Sequence, residues 1–280
     1  MTVNEVYIKG RNVLDDNNIE NSAFEARCLL QKAFSLDRVG FINHKPDTAD
    51  SGCTKQFFEF IKQRTGGEPL QYILGEWSFM GFDFEVGRGV LIPRDDTEVV
   101  VNLCIDFLNG RTDKKAVDLC SGSGAIAVAL NKICSADVVG VEINETAFSY
   151  LKTNINKNRS AVTPVNADAL KISDSFADGS LDLVVSNPPY IKSDDISTLQ
   201  SEVQLEPRLA LDGGKDGLDF YRAIIKLWSK KLKKGGAMAF ELGEGQADTV
   251  KELMAKEKLG NFKISCDFGG TQRAIIGTLL

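Results

Sequence analysis

From residue 115 onward, short apolar segments alternate with stretches of helical periodicity, and no other feature of the chain restricts its fold as strongly. Strands separated by helices of crossover length pair in parallel, so this pattern predicts a doubly wound α/β sheet. The predicted strands are 115–120, 137–142, 162–166, 181–186, 236–242, 262–268 and 273–279, and the predicted helices are 124–133, 145–158, 217–232 and 246–256. Because only four residues join the last two strands, these two are predicted to form an antiparallel hairpin at the end of a mostly parallel sheet.

The first seventy residues have a different pattern, which is helical. Ser22 stands at a capping position before a predicted helix over 23–34, and Glu25 occupies the capping-box position. A second helix is predicted over 54–64. His44 lies between the two helices in a predicted linker, where solvent exposure is a simpler interpretation than catalysis.

The pattern changes again after this helical region. Aromatic and β-branched residues alternate with glycines from 72 to 92, which predicts a β-hairpin between two domains. An amphipathic helix is predicted to follow as far as Leu108. The sequence therefore predicts three parts: a helical domain at 1–70, a hairpin linker at 71–92 and an α/β domain at 93–280.

Charge and composition exclude several classes of protein. The chain carries 33 basic and 39 acidic side chains, whereas proteins that bind mainly nucleic-acid phosphates are normally basic. None of the six cysteines forms a C-x-x-C pair and there is a single histidine, so no metal site is expected. The N-terminus lacks the pattern of a signal peptide, and no apolar run approaches about 18 residues. A cytoplasmic location without a membrane segment is therefore expected.

The first strand of the α/β region runs into a glycine loop, Asp118-Leu-Cys-Ser-Gly-Ser-Gly-Ala-Ile126. Gly122 and Gly124 permit a tight turn and a close approach of a ligand to the backbone, and the next helix presents unpaired N–H groups there. The following strand ends in Glu142, which is placed to accept hydrogen bonds from the two hydroxyls of a ribose. A ligand-free turn, an NAD site and an S-adenosylmethionine site all fit this pattern. Asp118 favours the last, because the arrangement resembles the loop in which an acid faces the amino-acid end of S-adenosylmethionine.

The fourth predicted strand ends at Ser186 and runs into Asn187-Pro188-Pro189-Tyr190. Ligands of open α/β sheets bind at the carboxyl ends of strands, and two prolines give a stiff backbone without N–H donors. The Asn187 side-chain oxygen and the Pro188 carbonyl can each accept one hydrogen of a planar NH₂ group, against whose face Tyr190 can lie. The tetrapeptide resembles the (Asp/Asn)-Pro-Pro-(Tyr/Phe) loop of methyltransferases that act on amide or exocyclic amino nitrogens. A simple strand-ending turn is the alternative.

Five further segments follow one another in the order typical of one family. They are Gly67-Glu-Pro-Leu-Gln-Tyr-Ile-Leu-Gly75, Leu91-Ile-Pro-Arg-Asp-Asp-Thr-Glu98, Glu206-Pro-Arg-Leu-Ala-Leu-Asp-Gly-Gly-Lys-Asp-Gly217, Glu241-Leu-Gly243 and Asp267-Phe-Gly-Gly-Thr-Gln-Arg273. From about residue 67 to its end, the chain resembles the HemK/PrmC protein-glutamine methyltransferases. Together the segments are much more specific than the tetrapeptide alone.

The resemblance implies a seven-stranded, Rossmann-like S-adenosylmethionine-dependent methyltransferase domain, preceded by a small helical domain that recognises the substrate. It implies methylation of the side-chain amide nitrogen, N5, of the glutamine in the Gly-Gly-Gln motif of class-1 peptide chain release factors. S-adenosylmethionine is the implied cofactor and the release factor is the implied partner. Stable binding of nucleic acid or of a membrane is not expected.

The resemblance also assigns site residues, position by position. The implied catalytic residues, which hold the glutamine, are Asn187, Pro188, Pro189 and Tyr190. The implied cofactor-binding residues are Cys120, Ser121, Gly122, Ser123, Gly124, Glu142, Asp168, Ala169 and Asn187. Three positions depart from the family pattern: Cys120 replaces a glycine, Asp95 replaces a proline, and Ala169 replaces a larger side chain. Cys120 is expected to make the loop slightly less open, and the small side chain of Ala169 is expected to contribute little to packing against the adenine.

Two other functions fit parts of the sequence. Methyltransferases of amino groups in nucleic acids share the tetrapeptide, and the basic cluster Lys230-Lys-Leu-Lys-Lys234 supports that alternative. The net charge of −6 counts against it, and the cluster is predicted to lie at a helix C-terminus, where the dipole favours cations. The other alternative is a non-catalytic adaptor that binds release factors or ribosomes, against which the presence of Asn187, Tyr190 and Glu142 counts.

Overall fold

The structure, a computed structural model, describes all residues from Met1 to Leu280 and divides into two compact units. The first unit contains residues 1–76 and 200–205, and the second unit contains residues 77–199 and 206–280. The α-helices are α1 (Val3–Asp16), α2 (Ser22–Phe34), α3 (Arg38–His44), α4 (Ser51–Thr65), α5 (Leu70–Leu74), α6 (Thr97–Leu108), α7 (Ala125–Cys134), α8 (Glu145–Lys157), α9 (Arg208–Leu211), α10 (Asp219–Trp228) and α11 (Ala247–Lys256). The strands are β1 (Glu76–Phe79), β2 (Phe82–Glu85), β3 (Lys115–Leu119), β4 (Asp137–Glu142), β5 (Thr163–Asn166), β6 (Leu181–Ser186), β7 (Leu232–Glu241), β8 (Leu259–Cys266) and β9 (Gln272–Leu279).

Seven strands of the second unit form one mixed sheet in the order β5-β4-β3-β6-β7-β9-β8. Strands β3 to β7 pair in parallel, whereas β9 runs antiparallel to both of its neighbours, β7 and β8. The predicted seven-stranded α/β fold, with an antiparallel hairpin at the end of the chain, is therefore confirmed. Parallel strands meet with their carboxyl ends at one edge, so the loops after β3, β4, β5 and β6 converge there.

Alternate residues of the central strands face two separate apolar cores. Ala116 and Leu183 belong to the core formed with α6, α7 and α8. Val117 and Val184, one residue further along the same two strands, belong to the core formed with α10 and α11. Side chains of a strand alternate between its faces, and both faces are covered by helices, which explains why these strands are nearly continuous apolar runs.

The first unit is helical, and three of its helices, α1, α3 and α4, begin at side-chain caps. Thr2 and Glu5 form a capping box at α1, in which the Glu5 carboxylate accepts a hydrogen bond from Thr2 N at 2.8 Å. At α4 the Asp50 carboxylate accepts a hydrogen bond from Cys53 N at 2.9 Å, so this helix begins three residues before the predicted one. The buried side chains between α1, α2 and α4 are Val6, Leu14, Leu29, Leu30, Phe57 and Ile61.

The predicted capping box of α2 is wrong. Asn21 precedes the helix with a φ of 57° and makes no side-chain cap, while the Ser22 hydroxyl donates to the Asp15 carboxylate. Because the N-cap is Asn21, Glu25 lies one residue beyond the capping-box position, and its carboxylate accepts a hydrogen bond from Arg64 Nε at 2.5 Å. The left-handed residue turns the chain into the helix one position earlier, so Ser22 is the first helical residue.

His44 does not lie in a linker, because residues 38–44 form α3, a helix that the sequence pattern did not predict. The Asp37 carboxylate caps this helix by accepting a hydrogen bond from Gly40 N at 2.6 Å. As expected, the His44 side chain is exposed, and its Nδ1 lies 2.7 Å from Asp47.

The predicted hairpin is present but shorter than its predicted range of 72–92. Tyr72 lies in α5, and β1 and β2 span only residues 76–85. Phe79 and Phe84 are buried in the core of the second unit. The boundary between the two units falls within β1, after Glu76.

The basic cluster at 230–234 is not at a helix C-terminus. Helix α10 ends at Trp228, a 3₁₀ turn follows, and β7 already begins at Leu232, so Lys233 lies on a strand. Lys231 is 4% exposed, and its Nζ lies 2.7 Å from Asp178. Pairing of the buried start of β7 with β6 extends the strand into the region that the sequence pattern predicts as helix. This pairing places the cluster at the amino edge of the sheet.

All six cysteines are free thiols. No cluster of three or more His, Cys, Asp or Glu side chains has an arrangement suited to a metal ion. None of the helices is both long enough and apolar enough to span a membrane.

Candidate active site

A cleft opens in the second unit at the carboxyl edge of β3, β4 and β6. Nine of the twelve predicted site residues line it: Cys120, Ser121, Gly122, Ser123, Glu142, Asp168, Ala169, Asn187 and Pro189. The other three, Gly124, Pro188 and Tyr190, are not part of its wall. The structure thus brings the predicted cofactor loop and the predicted catalytic loop together around one cavity.

The glycine loop after β3 follows a left-handed path. Cys120, Gly122 and Gly124 have φ angles of 60°, 54° and 85°. A Cβ atom on Gly122 would meet nothing within 4 Å, so this position leaves open space for a ligand. A Cβ atom on Gly124 would lie 2.5 Å from Leu151 Cδ1, so Gly124 serves the packing of α7 and α8 rather than the wall of the cleft.

Asp118 does not face the cleft, contrary to the sequence-based expectation. It is fully buried in β3, and its Oδ2 accepts a hydrogen bond from Ser121 Oγ at 2.7 Å. Burial raises the pKa of the Asp118 carboxyl to about 7. Because side chains alternate between the faces of a strand, the Asp118 side chain points into the protein interior. Asp118 therefore contacts the glycine loop through its hydrogen bond with Ser121.

Glu142 ends β4 and holds the glycine loop from the other side. Its Oε2 accepts a hydrogen bond from Gly122 N at 2.8 Å, and its Oε1 accepts one from Asn144 N at 2.8 Å. The residue is buried, and this burial raises the pKa of its carboxyl. Each carboxylate oxygen keeps a further lone pair for a ligand hydroxyl, as a ribose site requires.

Asp168 and Ala169 follow β5 and form the next part of the wall. Asp168 Oδ1 accepts a hydrogen bond from Leu170 N at 2.9 Å, and the Ala169 carbonyl accepts one from Trp228 Nε1 at 2.9 Å. The Trp228 indole thereby fixes the backbone at a position whose own side chain is small. Asp95, which also departs from the family pattern, is exposed and does not line the cleft.

The loop Asn187–Tyr190 begins where β6 ends. Ser186 anchors it, because the Ser186 hydroxyl donates to the Leu119 carbonyl at 2.7 Å. Asn187 Nδ2 donates to Thr97 Oγ1 at 3.3 Å, which leaves Asn187 Oδ1 without a hydrogen bond within the chain. The side chain thus offers an acceptor oxygen at the wall of the cleft.

Tyr190 turns away from the cleft and toward β7. Its hydroxyl donates to Glu241 Oε1 at 3.2 Å, and burial raises the pKa of the Tyr190 phenol, which stays neutral. The Tyr190 carbonyl accepts a hydrogen bond from Gln246 Nε2 at 3.0 Å. A Cβ atom on Gly213 would lie 2.7 Å from Tyr190 Cα, so the glycine segment after α9 packs directly on this loop.

Sequence analysis missed the roles of Thr97, Glu241 and Gln246. Thr97 and Glu241 belong to segments that carry the family resemblance, 91–98 and 241–243, but the sequence pattern predicts no contact of either residue with the loop. Their contacts with the loop span 90 and 51 residues of sequence, which no local pattern indicates. The one available signal was the presence of polar residues, Thr97 and Glu241, directly beside apolar runs.

Comparisons with known proteins agree with this geometry. The family model described as PrmC N-terminal domain matches residues 5–75, and the one described as methyltransferase small domain matches residues 94–205. A release factor glutamine methyltransferase of Geobacter sulfurreducens is 39% identical over 285 residues, covering 99% of this chain and 97% of the relative. One of Clostridium acetobutylicum is 33% identical over 290 residues, covering 99% and 98%.

A solved structure shows the same fold. The crystal structure of a methyltransferase from Pyrococcus furiosus has a TM-score of 0.53 and 22% identity, covering 72% of this chain and 90% of that one. The cofactor of this fold is S-adenosylmethionine. Since the curated relatives match over nearly their whole length, the resemblance to HemK/PrmC proteins is confirmed, and the chain belongs to the release factor glutamine methyltransferase family.

Proposed function

We propose that this protein transfers a methyl group from S-adenosylmethionine to the side-chain amide nitrogen, N5, of a glutamine. The substrate is the Gly-Gly-Gln motif of class-1 peptide chain release factors. The observation that carries the proposal is the orientation of Asn187, whose amide oxygen is left as a free acceptor at the wall of the cleft. The names of the curated relatives support the choice of substrate.

The cleft fits S-adenosylmethionine. Glu142 offers carboxylate lone pairs for the ribose, and the open space at Gly122 lets the ligand approach the backbone. Asp168 and Ala169 lie beside the adenine in this proposal, and Cys120 to Ser123 hold the amino-acid end. The bound cofactor supplies an electrophilic methyl group on a sulfonium. The residues of this chain position the glutamine nitrogen that accepts the methyl group.

The chemistry explains why the loop contains acceptors and no base. The nitrogen of a side-chain amide is a poor nucleophile, because its lone pair is delocalised into the carbonyl. Asn187 Oδ1 and the Pro188 carbonyl hold the two amide hydrogens, which aims the nitrogen at the methyl group and favours the positive charge that develops on it. The proton leaves after the transfer, so no strong general base is needed.

Methylation of an amino group in a nucleic acid is the main alternative, and the position of the basic cluster argues against it. Lys231 and Lys233 pair with Asp178 and Asp182, and the cluster lies where β6 and β7 begin. The cleft lies at the opposite edge of the sheet, so these lysines do not form a phosphate track toward it.

The N-terminal helical part has a role in this proposal too. We infer that residues 1–70 recognise the protein substrate, because the cofactor-site residues all belong to the second unit. The loop and most of the cleft belong to the part at 93–280, and Gly89, Leu91 and Ile92 of the linker at 71–92 also line the cleft. The reaction then takes place in the cytoplasm on a protein partner, without stable binding of nucleic acid or membrane.

The test is incubation of the full-length chain with purified release factor and isotope-labelled S-adenosylmethionine, followed by peptide mass mapping. The proposal predicts one added methyl group, on the glutamine of the Gly-Gly-Gln motif. It also predicts faster labelling of the intact factor than of a short peptide that contains the motif, because recognition extends beyond the cleft. Label on RNA, or on another residue of the factor, would contradict the proposed substrate. A binding adaptor without catalysis would leave the factor unlabelled.

A further inference from the structure

The side-chain amide of Gln246 joins three segments of backbone that meet at the end of the Asn187–Tyr190 loop. Its Nε2 donates hydrogen bonds to the Tyr190 carbonyl at 3.0 Å and to the Gly217 carbonyl at 3.3 Å. Its Oε1 accepts a hydrogen bond from Gly243 N at 2.9 Å. The NH₂ group faces two carbonyl oxygens and the amide oxygen faces an N–H group, so the surroundings fix the orientation of this amide.

The place of Gln246 in the chain is unfavourable for its own helix. Gln246 is the N-cap residue of α11, yet its side chain makes no cap hydrogen bond to that helix. Short side chains such as Ser, Thr, Asp and Asn cap well, whereas the longer glutamine side chain reaches the loop instead. Departures of this kind from local preference are typical of residues with a functional contact.

The backbone is packed closely around this amide. A Cβ atom on Gly217 would lie 2.4 Å from the Tyr190 carbonyl oxygen and 2.9 Å from Gln246 Nε2. A Cβ atom on Gly243 would lie 2.7 Å from Gln246 Oε1. Side chains at these two positions would displace the amide or the Tyr190 carbonyl, so the hydrogen bonds of Gln246 depend on glycine in both neighbouring segments.

The loop needs contacts of this kind because its two prolines have no N–H groups, and its middle therefore cannot donate backbone hydrogen bonds. The peptide unit that ends the loop is held on both sides. The Tyr190 carbonyl accepts from Gln246, and Ile191 N, at the other end of the same peptide unit, donates to the Leu211 carbonyl at 3.0 Å. Gln246 thus fixes the backbone of the loop at the end where the prolines have just left it without donors.

We propose that Gln246 is a positioning residue for methyl transfer, which holds the end of the Asn187–Tyr190 loop so that its acceptor atoms stay in place for the substrate amide. The inference rests on the proposed methylation of a glutamine amide. Gln246 does not line the cleft, so it acts through the loop and not on the cofactor. Since a shift of about 1 Å in a group that holds the substrate can slow a reaction about 10²-fold, loss of this contact should affect the rate more than cofactor binding.

Two substitutions of Gln246 test the inference in the full-length chain with purified release factor. Gln246→Met keeps the length of the side chain and removes its hydrogen bonds. At saturating S-adenosylmethionine and release factor, it should lower the single-turnover rate about tenfold or more, while the affinity for S-adenosylmethionine changes less than about twofold. Gln246→Glu keeps the acceptor for Gly243 N but places a carboxylate against two carbonyl oxygens, so it should be slower than Gln246→Met.

Three results would overturn the inference: a wild-type rate in Gln246→Met, a cofactor affinity that falls as much as the rate, or a Gln246→Glu variant faster than Gln246→Met. The last result would mean that the bond from Gly243 N matters and the donation to Tyr190 does not. If Gln246→Glu does not fold, Gln246→Met still decides.

Asn131→Asp is the matched control, because Asn131 is another half-buried amide that joins separate segments of backbone. Its Nδ2 donates to the Ala136 carbonyl at 2.8 Å, and its Oδ1 accepts from Ala161 N at 2.9 Å, near the start of β4 and away from the cleft. The variant should lose stability and keep a single-turnover rate within about twofold of the wild type. An equal loss of rate in Asn131→Asp and Gln246→Met would overturn the inference.

The same experiment separates this inference from the proposed function. Wild-type protein that does not methylate the release factor overturns both together. Active wild type with an equally active Gln246→Met variant overturns the role of Gln246 alone.

Discussion

The Tyr190 hydroxyl donates a hydrogen bond to Glu241 Oε1 at 3.2 Å, which ties the end of the Asn187–Tyr190 loop to the end of β7. The contact joins two residues that lie 51 positions apart in the sequence. Through this hydrogen bond, the Tyr190 hydroxyl stabilises the loop in addition to the packing of the ring. Substitutions at Tyr190 therefore separate the effect of the hydroxyl on stability from the effect of the ring on the methyl-transfer rate.

Tyr190→Phe should lower the free energy of unfolding by about 1–3 kcal/mol, because the buried Glu241 carboxylate loses the hydroxyl that donates to it. The methyl-transfer rate should fall less than in Tyr190→Ala, since the ring still packs under the loop. Denaturant unfolding and single-turnover kinetics measure the two effects. Tyr190→Phe with wild-type stability would mean that the hydrogen bond is not formed in solution.

Glu142→Ala should weaken binding of S-adenosylmethionine by roughly tenfold to more than a hundredfold, or ~1.5–3 kcal/mol. The variant loses the proposed ribose acceptor and also the carboxylate that accepts hydrogen bonds from Gly122 N and Asn144 N. Glu142→Gln keeps one acceptor oxygen and should lose less. Calorimetric titration of the folded variants checks this order, and unchanged affinity in Glu142→Ala would remove Glu142 from the cofactor site.

Asp118 should make the stability of the protein decrease as the pH rises from about 4 to about 7. An unfolded aspartate loses its proton near pH 3.9, whereas the folded Asp118 has a pKa of about 7. Between these values the folded chain binds more protons than the unfolded chain, so the contribution to stability is complete below about pH 4 and is lost as the pH rises through 7.

Asp118→Asn should flatten that decline, because asparagine does not titrate and can still accept the hydrogen bond of Ser121. Denaturant unfolding at pH 5 and pH 7.5 gives the comparison. Asp194→Asn, at an exposed position, should leave the decline as it is in the wild type. An equal decline in wild type and Asp118→Asn would show that Asp118 is ionised throughout this range.

Cys120→Gly should stabilise the protein by up to about 1 kcal/mol. Cys120 has a φ of 60°, a left-handed conformation that costs a residue with a Cβ roughly 1–2 kcal/mol, part of which the greater chain entropy of unfolded glycine offsets. Cys120→Ala keeps the unfavourable conformation and should not be more stable than the wild type. The midpoint of denaturant unfolding distinguishes the two variants. A less stable Cys120→Gly would mean that the thiol packs too well to be removed.

The sheet was predictable from the sequence because each central strand is an apolar run bounded by turn residues. Val117 and Leu183, for example, face the two opposite cores, and both lie in strands that are mostly apolar. The position of Glu142 at the end of its strand follows from the same pattern. Helix α3 was not predictable in this way, since it has only seven residues, of which only Phe41 is buried.

The interior contacts of the site could not be predicted, because they depend on residues brought together by folding. Whether Asp118 faces a ligand or the interior depends on which face of β3 it occupies, and that requires the register of the neighbouring strands. The contacts of Thr97 with Asn187 and of Glu241 with Tyr190 cross from α6 to the loop and from the loop to β7. Sequence spacing alone does not indicate which distant residues form such hydrogen bonds.

The rate of a single turnover in the Asn187→Ala variant tests most directly whether this loop methylates the glutamine. The measurement uses saturating S-adenosylmethionine and release factor, with the affinity for S-adenosylmethionine determined in parallel. Loss of an acceptor that acts mainly in the transition state should lower the rate ~10²–10³-fold and weaken cofactor binding much less. Tyr190→Phe should be the faster of the two variants. An Asn187→Ala variant with a rate near that of the wild type, or one that is faster than Tyr190→Phe, would contradict the proposed mechanism.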